Sequence, residues 1–299
     1  MADDATAARP GLDTTVSHSA RIWNYWLGGK DNFAVDREAG DRVAAMLPII
    51  VAQARADRAF LGRAVRYLAG QEGIRQFLDI GTGLPTADNT HQVAQQTAPG
   101  ARIVYADNDP LVLSHARALL TSSPNGVCDY IDADLREPEK ILSEAARTLD
   151  FTQPVALLLL GVLHHIADTD QAYSIVRRLT AALVPGSFLA INHSTSAVSG
   201  AAMEEAVAHW NQVGTPPMTL RSPQQIARFF DGLDLLEPGV VSCSRWRPDI
   251  SPLGGQPPEV DEFCGVARKP KPARSGQPDH SPPNARPAGA PGGPPESMR

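Results

Sequence analysis

Apolar and polar positions follow two alternating patterns along residues 71–192. Short apolar runs, typical of buried strands, are separated by longer segments whose apolar positions recur at helical spacing. The run at 155–160 is apolar at every position, as expected for a central strand covered on both faces. This order predicts an α/β fold with a doubly wound, mostly parallel sheet. The predicted strands span 76–80, 102–106, 129–133, 155–160 and 187–192, and the predicted helices between them span 86–97, 110–120, 137–149 and 169–183.

Two helices are predicted ahead of the sheet. Asp31 or Asn32 can cap the first, and Pro48 can begin the second, which runs to Ala69. We therefore predict a helical extension, or lid, at 18–70 that precedes the sheet domain.

The pattern after residue 192 predicts the rest of a sheet domain that spans 71–268. Its predicted elements are helices at 200–213 and 222–230 and strands at 235–242 and 262–267, which complete a seven-stranded sheet. Residues 1–17 and 269–299 have little to bury, and we predict that both segments are disordered.

Composition narrows the class of protein. The chain has 299 residues, of which 42% are hydrophobic, and its formal net charge of −6 lacks the basic balance of a general nucleic-acid binder. Three widely spaced cysteines disfavour a disulfide framework or a zinc site. No secretory signal and no apolar run of membrane-spanning length is evident. We predict a cytoplasmic protein without a metal and without a nucleic-acid or membrane partner.

The first predicted strand ends in an acid and a glycine turn that contains Asp79, Gly81, Thr82 and Gly83. Glycines allow positive φ and close approach to a ligand, and ligands of open α/β sheets bind beyond the carboxyl ends of strands. A carboxylate here would repel a dinucleotide pyrophosphate but suits a ligand with a positive amino group. The D-x-G-x-G pattern resembles motif I of class I S-adenosylmethionine-dependent methyltransferases, which implies that Asp79 faces the amino-acid end of that cofactor. A strand–turn–helix joint without a ligand is the alternative.

Acids also end the next two predicted strands. Asp107 lies near where a βαβ unit places its ribose-binding acid, and Asn108 would then lie beside the adenine; a solvated strand end is the alternative. After the third strand, the methyltransferase resemblance implies that Asp134 accepts a hydrogen bond from the adenine amino group and that Leu135 packs on the ring. Asp132 lies one strand period earlier and could take the role of Asp134.

The loop after the fourth strand contains two adjacent histidines. Residues 161–166 resemble the corresponding loop of small-molecule methyltransferases, with Gly161 where that pattern has Asn. We expect His164 and His165 to point apart, and no Cys or further His lies at ligand spacing, so a metal site is not predicted. Either histidine is a candidate to face the transfer pocket and accept a proton.

An aromatic segment, WNYWLGGKDN, lies in the predicted extension. Its GGK triplet lacks the earlier glycine, the following Ser or Thr and the preceding strand of a phosphate-binding loop. Two interpretations remain open. The segment is an aromatic anchor for the extension, or it is a lid in which Tyr25, Lys30, Asp31 or Asn32 closes over cofactor and acceptor.

Four longer segments together carry a more specific resemblance. They are ARIWNYWLGGKDNFAVDREAGD, FLDIGTGLPTADNTHQVA, YADNDPLVLSHARALL and LLEPGVVSCSRWRP. Over about residues 17–269 the chain is similar to a bacterial S-adenosyl methyltransferase family once listed as a domain of unknown function. The resemblance implies a Rossmann-like class I methyltransferase fold with a helical N-terminal addition. Pro85 departs from many class members, which have a third glycine there; it stiffens the turn and removes a backbone donor.

The predicted activity is methyl transfer from S-adenosylmethionine to a small molecule. The expected cofactor shell consists of Asp79, Gly81, Thr82, Gly83, Asp107, Asn108, Asp134, Leu135 and Gly161. The acceptor pocket is expected between the extension and the loops after strands 4 and 5, near His164, His165, Asn192 and His193, with Tyr25 as a further catalytic candidate. A non-catalytic cofactor-binding regulator is one alternative. A nicotinamide-dependent oxidoreductase is another, which the missing third glycine and the absence of a Tyr-x-x-x-Lys pair disfavour.

Overall fold

Three helices precede the sheet in the computed structural model, which describes residues 13–85, 88–112, 122–249 and 255–271. They are α1 (Ser19–Trp26), α2 (Ala34–Met46) and α3 (Ile50–Gly70). The sequence pattern did not predict α1. The predicted cap of α2 is wrong, because the helix begins after Phe33, whose N–H donates to the Asp36 carboxylate at 2.8 Å.

Five parallel strands form the centre of the sheet, as predicted. β1 is Gln76–Ile80, β2 is Arg102–Asp107, β3 is Val127–Asp132, β4 is Ala156–Leu160 and β5 is Phe188–Ser194. The strand order is β3-β2-β1-β4-β5, so the chain reverses direction across the sheet between β1 and β4. Because these strands are parallel, their carboxyl ends share one edge of the sheet, where ligands of open α/β sheets bind.

The described residues form an eight-stranded sheet rather than the seven strands predicted. The predicted strand at 235–242 divides into β6 (Asp234–Leu235) and β7 (Val241–Ser242), and both pair antiparallel with β8 (Glu262–Arg268). A turn separates them, in which the Gly239 N–H donates to the Leu236 carbonyl at 2.8 Å with Gly239 at φ +88°. β8 itself pairs antiparallel with β5.

Helices cover both faces of the sheet. Beyond β1 the described helices are α4 (Thr90–Thr97), α5 (Pro138–Ala145), α6 (Thr169–Ala181), α7 (Ala201–Val213) and α8 (Pro223–Ala227), of which α7 packs against α2 rather than on the sheet. Successive side chains of a strand point to opposite faces of the sheet, so one strand contributes to the hydrophobic cores on both faces. Phe77 packs in one cluster with α3 and α4, and Leu78 packs in the other with α5 and α6. The predicted helix at 110–120 begins at Pro110, but its residues 113–120 lie outside the described residues, as do 86 and 87 of the helix predicted at 86–97.

The ends of the two predicted disordered segments make ordered contacts. Ser17 is buried, and the Lys269 ammonium donates to the carbonyls of Thr180, in the last turn of α6, and Leu183, at 2.8 and 2.6 Å. The remainder of the disorder prediction, at 1–12 and 272–299, lies outside the described residues. None of the helices in the described ranges has the length and apolar character that crossing a bilayer requires.

Candidate active site

A cleft of about 390 Å³ opens at the carboxyl ends of β1 to β4, with α1 and α3 along its wall. It shares the glycine turn as a wall with a smaller pocket of about 80 Å³, which Asp79 lines. The other predicted cofactor residues all line the main cleft: Gly81, Thr82, Gly83, Asp107, Asn108, Asp134, Leu135 and Gly161. The structure therefore brings the residues of four separate strand ends to one cavity.

The turn after β1 requires glycine at its first position. Gly81 has φ +77°, and its N–H donates to the Ala106 carbonyl at 2.8 Å, which fixes the turn against β2. A Cβ at Gly81 would lie 2.4 Å from the Cβ of Val162, which follows β4. Gly83 has φ +62° with open space around it. Both glycines therefore hold left-handed backbone, and Gly81 also permits close contact with the loop after β4.

Asp107 is held in place by backbone donors. Its Oδ2 accepts the Gly83 N–H at 2.9 Å and its Oδ1 accepts the Asp109 N–H at 3.0 Å. Burial raises the pKa of the Asp107 carboxyl, against the effect of these hydrogen bonds. Since a carboxylate oxygen can accept more than one hydrogen bond, both oxygens retain capacity for a ligand hydroxyl.

Asp134 and Leu135 lie at the next strand end. Asp134 Oδ2 accepts from Asn108 Nδ2 at 3.0 Å, and Arg136 forms an ion pair with the same carboxylate at 3.2 Å. Leu135 is buried at the cleft wall and supplies an apolar surface beside this polar group. Asp132 is exposed and does not line the cleft, so the geometry favours Asp134 between the two acids.

Asp79 lies beneath the glycine turn. It is buried, and its Oδ2 accepts from Thr90 Oγ1 at 2.6 Å. Burial raises the pKa of Asp79 to about 6, while the Thr90 hydrogen bond and the nearby Arg58 act in the opposite direction. Arg58 lines the same pocket and donates to Asn89 Oδ1 at 3.0 Å. A guanidinium and a carboxylate in one small pocket suit a ligand end that carries both a carboxylate and an amino group.

Asp57 and Arg58 are cleft residues that the sequence reasoning missed. Both come from α3 and line the main cleft and the smaller pocket. Asp57 falls in register with the apolar face of α3, on which Ile50, Ala54 and Leu61 are buried. The feature of the sequence that could have identified Asp57 was a carboxylate within an otherwise apolar helix face.

The histidines are divided between cleft and core. His165 lines the cleft, its Nδ1 lies 3.0 Å from the Pro217 carbonyl oxygen, and burial lowers its pKa to about 4. His164 is buried and does not line the cleft; its Nδ1 lies 3.2 Å from Ser194 Oγ. The two rings do not point apart as predicted, because they meet edge to face at 4.3 Å. His193 is also buried outside the cleft. Within the ranges the structure describes, no cluster of three metal-ligating side chains occurs.

The aromatic segment lines the cleft with residues other than those predicted for a lid. Trp23 and Asn24 line the cleft, whereas the Tyr25 hydroxyl donates to Asp41 Oδ1 at 2.8 Å and does not line it. Asn24 Oδ1 accepts from the Asp31 N–H and from Asn32 Nδ2, each at 3.0 Å, so these polar residues fold the loop onto α1. Motion of this segment as a lid stays a prediction.

An apolar chamber adjoins the cleft behind α1. Its volume is about 40 Å³, it shares Ser19 and Trp23 with the cleft, and Trp26 and Trp210 also line it. Gln53 from α3 is a polar residue at its wall. The chamber therefore offers apolar surface next to the α1 wall of the cleft.

Comparison with known proteins agrees with this geometry. A family model described as S-adenosyl methyltransferase matches residues 5–270. Two solved structures are similar: a DUF574 family protein from Streptomyces avermitilis MA-4680 (43% identity, 86% of this chain and 99% of that chain, TM-score 0.82) and a putative methyltransferase from Thermobifida fusca YX (39% identity, 89% and 100%, TM-score 0.80). A search of curated proteins finds no match. The chain belongs to the S-adenosyl methyltransferase family, whose methyl donor is S-adenosylmethionine.

Proposed function

We propose that this protein transfers the methyl group of S-adenosylmethionine to a small molecule bound between α1 and the loops after β4 and β5. The observation that carries the proposal is the convergence of four strand ends on one cleft, with a glycine turn and two acids in it. The cleft volume of about 390 Å³ is of the size that small-molecule and cofactor sites occupy.

The residues present fit the cofactor along its whole length. Asp107 would hold the ribose hydroxyls, and Asp134 with Leu135 would hold the adenine, with Asn108 beside it. Asp79 and Arg58 would hold the amino and carboxylate groups of the methionine part. The left-handed Gly81, where a Cβ would collide with Val162, leaves backbone rather than a side chain facing this part of the cofactor.

The acceptor side of the cleft is formed by other elements. Trp23 of α1, Leu27 directly after it, His165 after β4, and Thr215 with Pro216 after α7 line it. The bound sulfonium supplies an already activated methyl group, so the protein's main contribution is to align the acceptor and exclude water. This mixed apolar and polar wall supports a small organic acceptor rather than a polyanion.

Calorimetric titration with S-adenosylmethionine and S-adenosylhomocysteine tests the cofactor site directly. We expect micromolar binding of both ligands and no competition by a nicotinamide dinucleotide. Transfer of a labelled methyl group into the low-molecular-weight fraction of a bacterial extract then tests the acceptor class. Label that enters only protein or nucleic acid would contradict the small-molecule proposal, and binding without any transfer would favour a cofactor-binding regulator.

A further inference from the structure

Asp57 differs from the other acids of the cleft in its origin and position. It comes from α3, whereas Asp79 and Asp107 lie at the carboxyl ends of β1 and β2 and Asp134 follows β3. Its partner Asn192 lies on β5 and is paired in register with Leu160, the last residue of β4. Asp57 therefore lies on the β4–β5 side of the glycine turn.

The strand order relates this position to the donor. In the order β3-β2-β1-β4-β5, the proposed adenine and ribose positions are at β3 and β2, and the methionine part follows at β1. Asp57, which borders both the main cleft and the pocket of Asp79, lies where a donor placed in this way presents its sulfur and methyl group to an acceptor. This inference rests on the proposed methyl transfer.

The hydrogen bonds of Asp57 leave one oxygen available. Asn192 Nδ2 donates to Oδ1. Across the part of the chain that the structure describes, Oδ2 has no hydrogen-bond partner, and the residue is half-buried at the cleft. The Asn192 amide thus orients the carboxylate while Oδ2 remains free to accept a proton from a ligand.

Charged and titratable groups face Asp57 from several elements. Arg58 follows it on α3 and Asp79 faces it from β1. Glu262 faces Asp57 from β8, and the Glu262 carboxylate accepts hydrogen bonds from Gln53 and Ser194. The charge of Asp57 also acts on the buried thiols Cys243 and Cys264. Burial raises the pKa of Asp57 to about 7, with Arg58 opposing the shift and Asp79 adding to it. A carboxylate with such a pKa is suited to take up a proton at neutral pH.

We propose that Asp57 faces the methyl-bearing sulfur of the bound donor and accepts the proton that the methyl acceptor loses, so that the acceptor is a molecule with an N–H or O–H nucleophile. The acceptor's nitrogen or oxygen forms a bond to the methyl carbon, and the carbon–sulfur bond breaks with its electron pair left on sulfur. The acceptor's proton passes to Asp57 Oδ2. The products are the methylated acceptor, S-adenosylhomocysteine and a neutral Asp57, which returns the proton to solvent.

The position of Asp57 can be tested without knowing the acceptor. S-adenosylmethionine and S-adenosylhomocysteine share ribose, adenine and amino acid, but only the former carries a positive charge on sulfur. An ionised Asp57 beside the sulfur therefore strengthens the binding of S-adenosylmethionine relative to that of S-adenosylhomocysteine. The ratio of the two affinities in the full-length protein is therefore expected to rise up to about tenfold between pH 6 and pH 8, as the ionised fraction of Asp57 rises.

Two isosteric variants serve as test and control. Asp57→Asn should make the affinity ratio independent of pH, whereas Asp107→Asn should weaken both ligands equally and preserve the pH dependence. A ratio that does not change with pH in the wild type, or a pH dependence that is the same for both ligands, would overturn the placement beside sulfur. Failure of both ligands to bind the wild type would instead refute the proposed function.

Transfer kinetics test the proton role separately. With labelled S-adenosylmethionine and a bacterial extract as the acceptor source, Asp57→Asn should retain S-adenosylhomocysteine affinity within a few-fold but lose about 10²-fold in transfer rate. At limiting S-adenosylmethionine, where the rate reports the free enzyme, the rise of the wild-type rate around pH 7 should also disappear in this variant. Transfer by Asp57→Asn at the wild-type rate would show that Asp57 takes no proton.

Discussion

The Gly83 backbone N–H donates to Asp107 Oδ2 at 2.9 Å, so the glycine turn after β1 and the acid that ends β2 are joined before any ligand binds. The Asp109 N–H completes the arrangement at the other carboxylate oxygen. A carboxylate fixed in this way loses little conformational freedom when it receives ribose hydroxyls, which strengthens binding through preorganisation.

Replacement of Asp107 by alanine should weaken S-adenosylhomocysteine binding more than tenfold, because the ribose loses its charge-assisted partner and the turn loses its anchor. Calorimetry of the purified variant measures this loss. Asp132→Ala is the matched control, since Asp132 pairs with Asp107 in the β2–β3 register but is exposed outside the cleft. Equal affinities for Asp107→Ala and the wild type would refute the ribose assignment.

Replacement of Gly81 by alanine should abolish measurable S-adenosylhomocysteine binding, because the new Cβ would displace Val162 and distort the turn. Gly73→Ala is a control for backbone strain alone: Gly73 has φ +69° with open space and lies outside the cleft. Both variants should lose about 1–2 kcal/mol of unfolding free energy from the left-handed backbone. Only Gly81→Ala should lose the ligand, and retained binding would argue against close contact at this turn.

The buried Asp79 should make the free energy of unfolding depend on pH. Its pKa is raised from 3.8 to about 6 in the folded protein, so its contribution to stability is fully present below about pH 3.8 and is lost as pH rises through 6. Asp79→Asn should therefore be more stable relative to the wild type at pH 7.5 than at pH 4.5, by about 2 kcal/mol. Denaturant unfolding at both pH values measures the difference.

The exposed Asp231→Asn provides the comparison for Asp79. Its stability difference from the wild type should be the same at the two pH values, since Asp231 lies at the surface of a turn. A pH-independent difference for Asp79→Asn as well would mean that burial does not raise the pKa of Asp79.

Asp36 should be essential for the N-terminal helices. It is fully buried, pairs with Arg21 at 2.9 Å and accepts the N–H groups of His18 and Phe33. Asp36→Ala leaves the Arg21 guanidinium buried without its carboxylate and should cost about 3–5 kcal/mol of unfolding free energy. Because α1 supplies Trp23 to the cleft, S-adenosylhomocysteine affinity should fall as well.

Asp41→Ala is the matched control for Asp36→Ala on the same helix. Asp41 is exposed and accepts the Tyr25 hydroxyl, so its removal should change unfolding free energy by less than about 0.5 kcal/mol. Similar losses in both variants would show that the buried ion pair is not what holds α1 to α2.

The parallel strands were predictable because their signal is local. β1 begins and ends at the predicted residues, since an apolar run meets a glycine turn at Gly81. The division of the strand predicted at 235–242 was harder to predict from the sequence. Pairing of β6 and β7 with β8 depends on a turn at Gly239 that interrupts an otherwise extended segment.

The site was predictable where its residues follow strands and not where they come from helices. Asp107 and Asp134 were found from their positions after β2 and β3. Asp57 depends on the packing of α3 against the sheet, which a helical pattern does not locate. For the histidines, the sequence offered either one as a cleft residue, and the 3₁₀ turn at Leu163–His165 decides between them by placing His165 at the cleft and His164 in the core.

The dual role of α3 bears on how this protein can have evolved. Phe60 and Leu68 of this helix pack in the same core as Phe77 of β1, while Asp57 and Arg58 reach the cleft. A chain that began at residue 71 would expose that core and lose two charged groups of its site. We therefore expect the helical extension and the sheet to be inherited as one unit, because a separation at residue 71 would open a shared hydrophobic core.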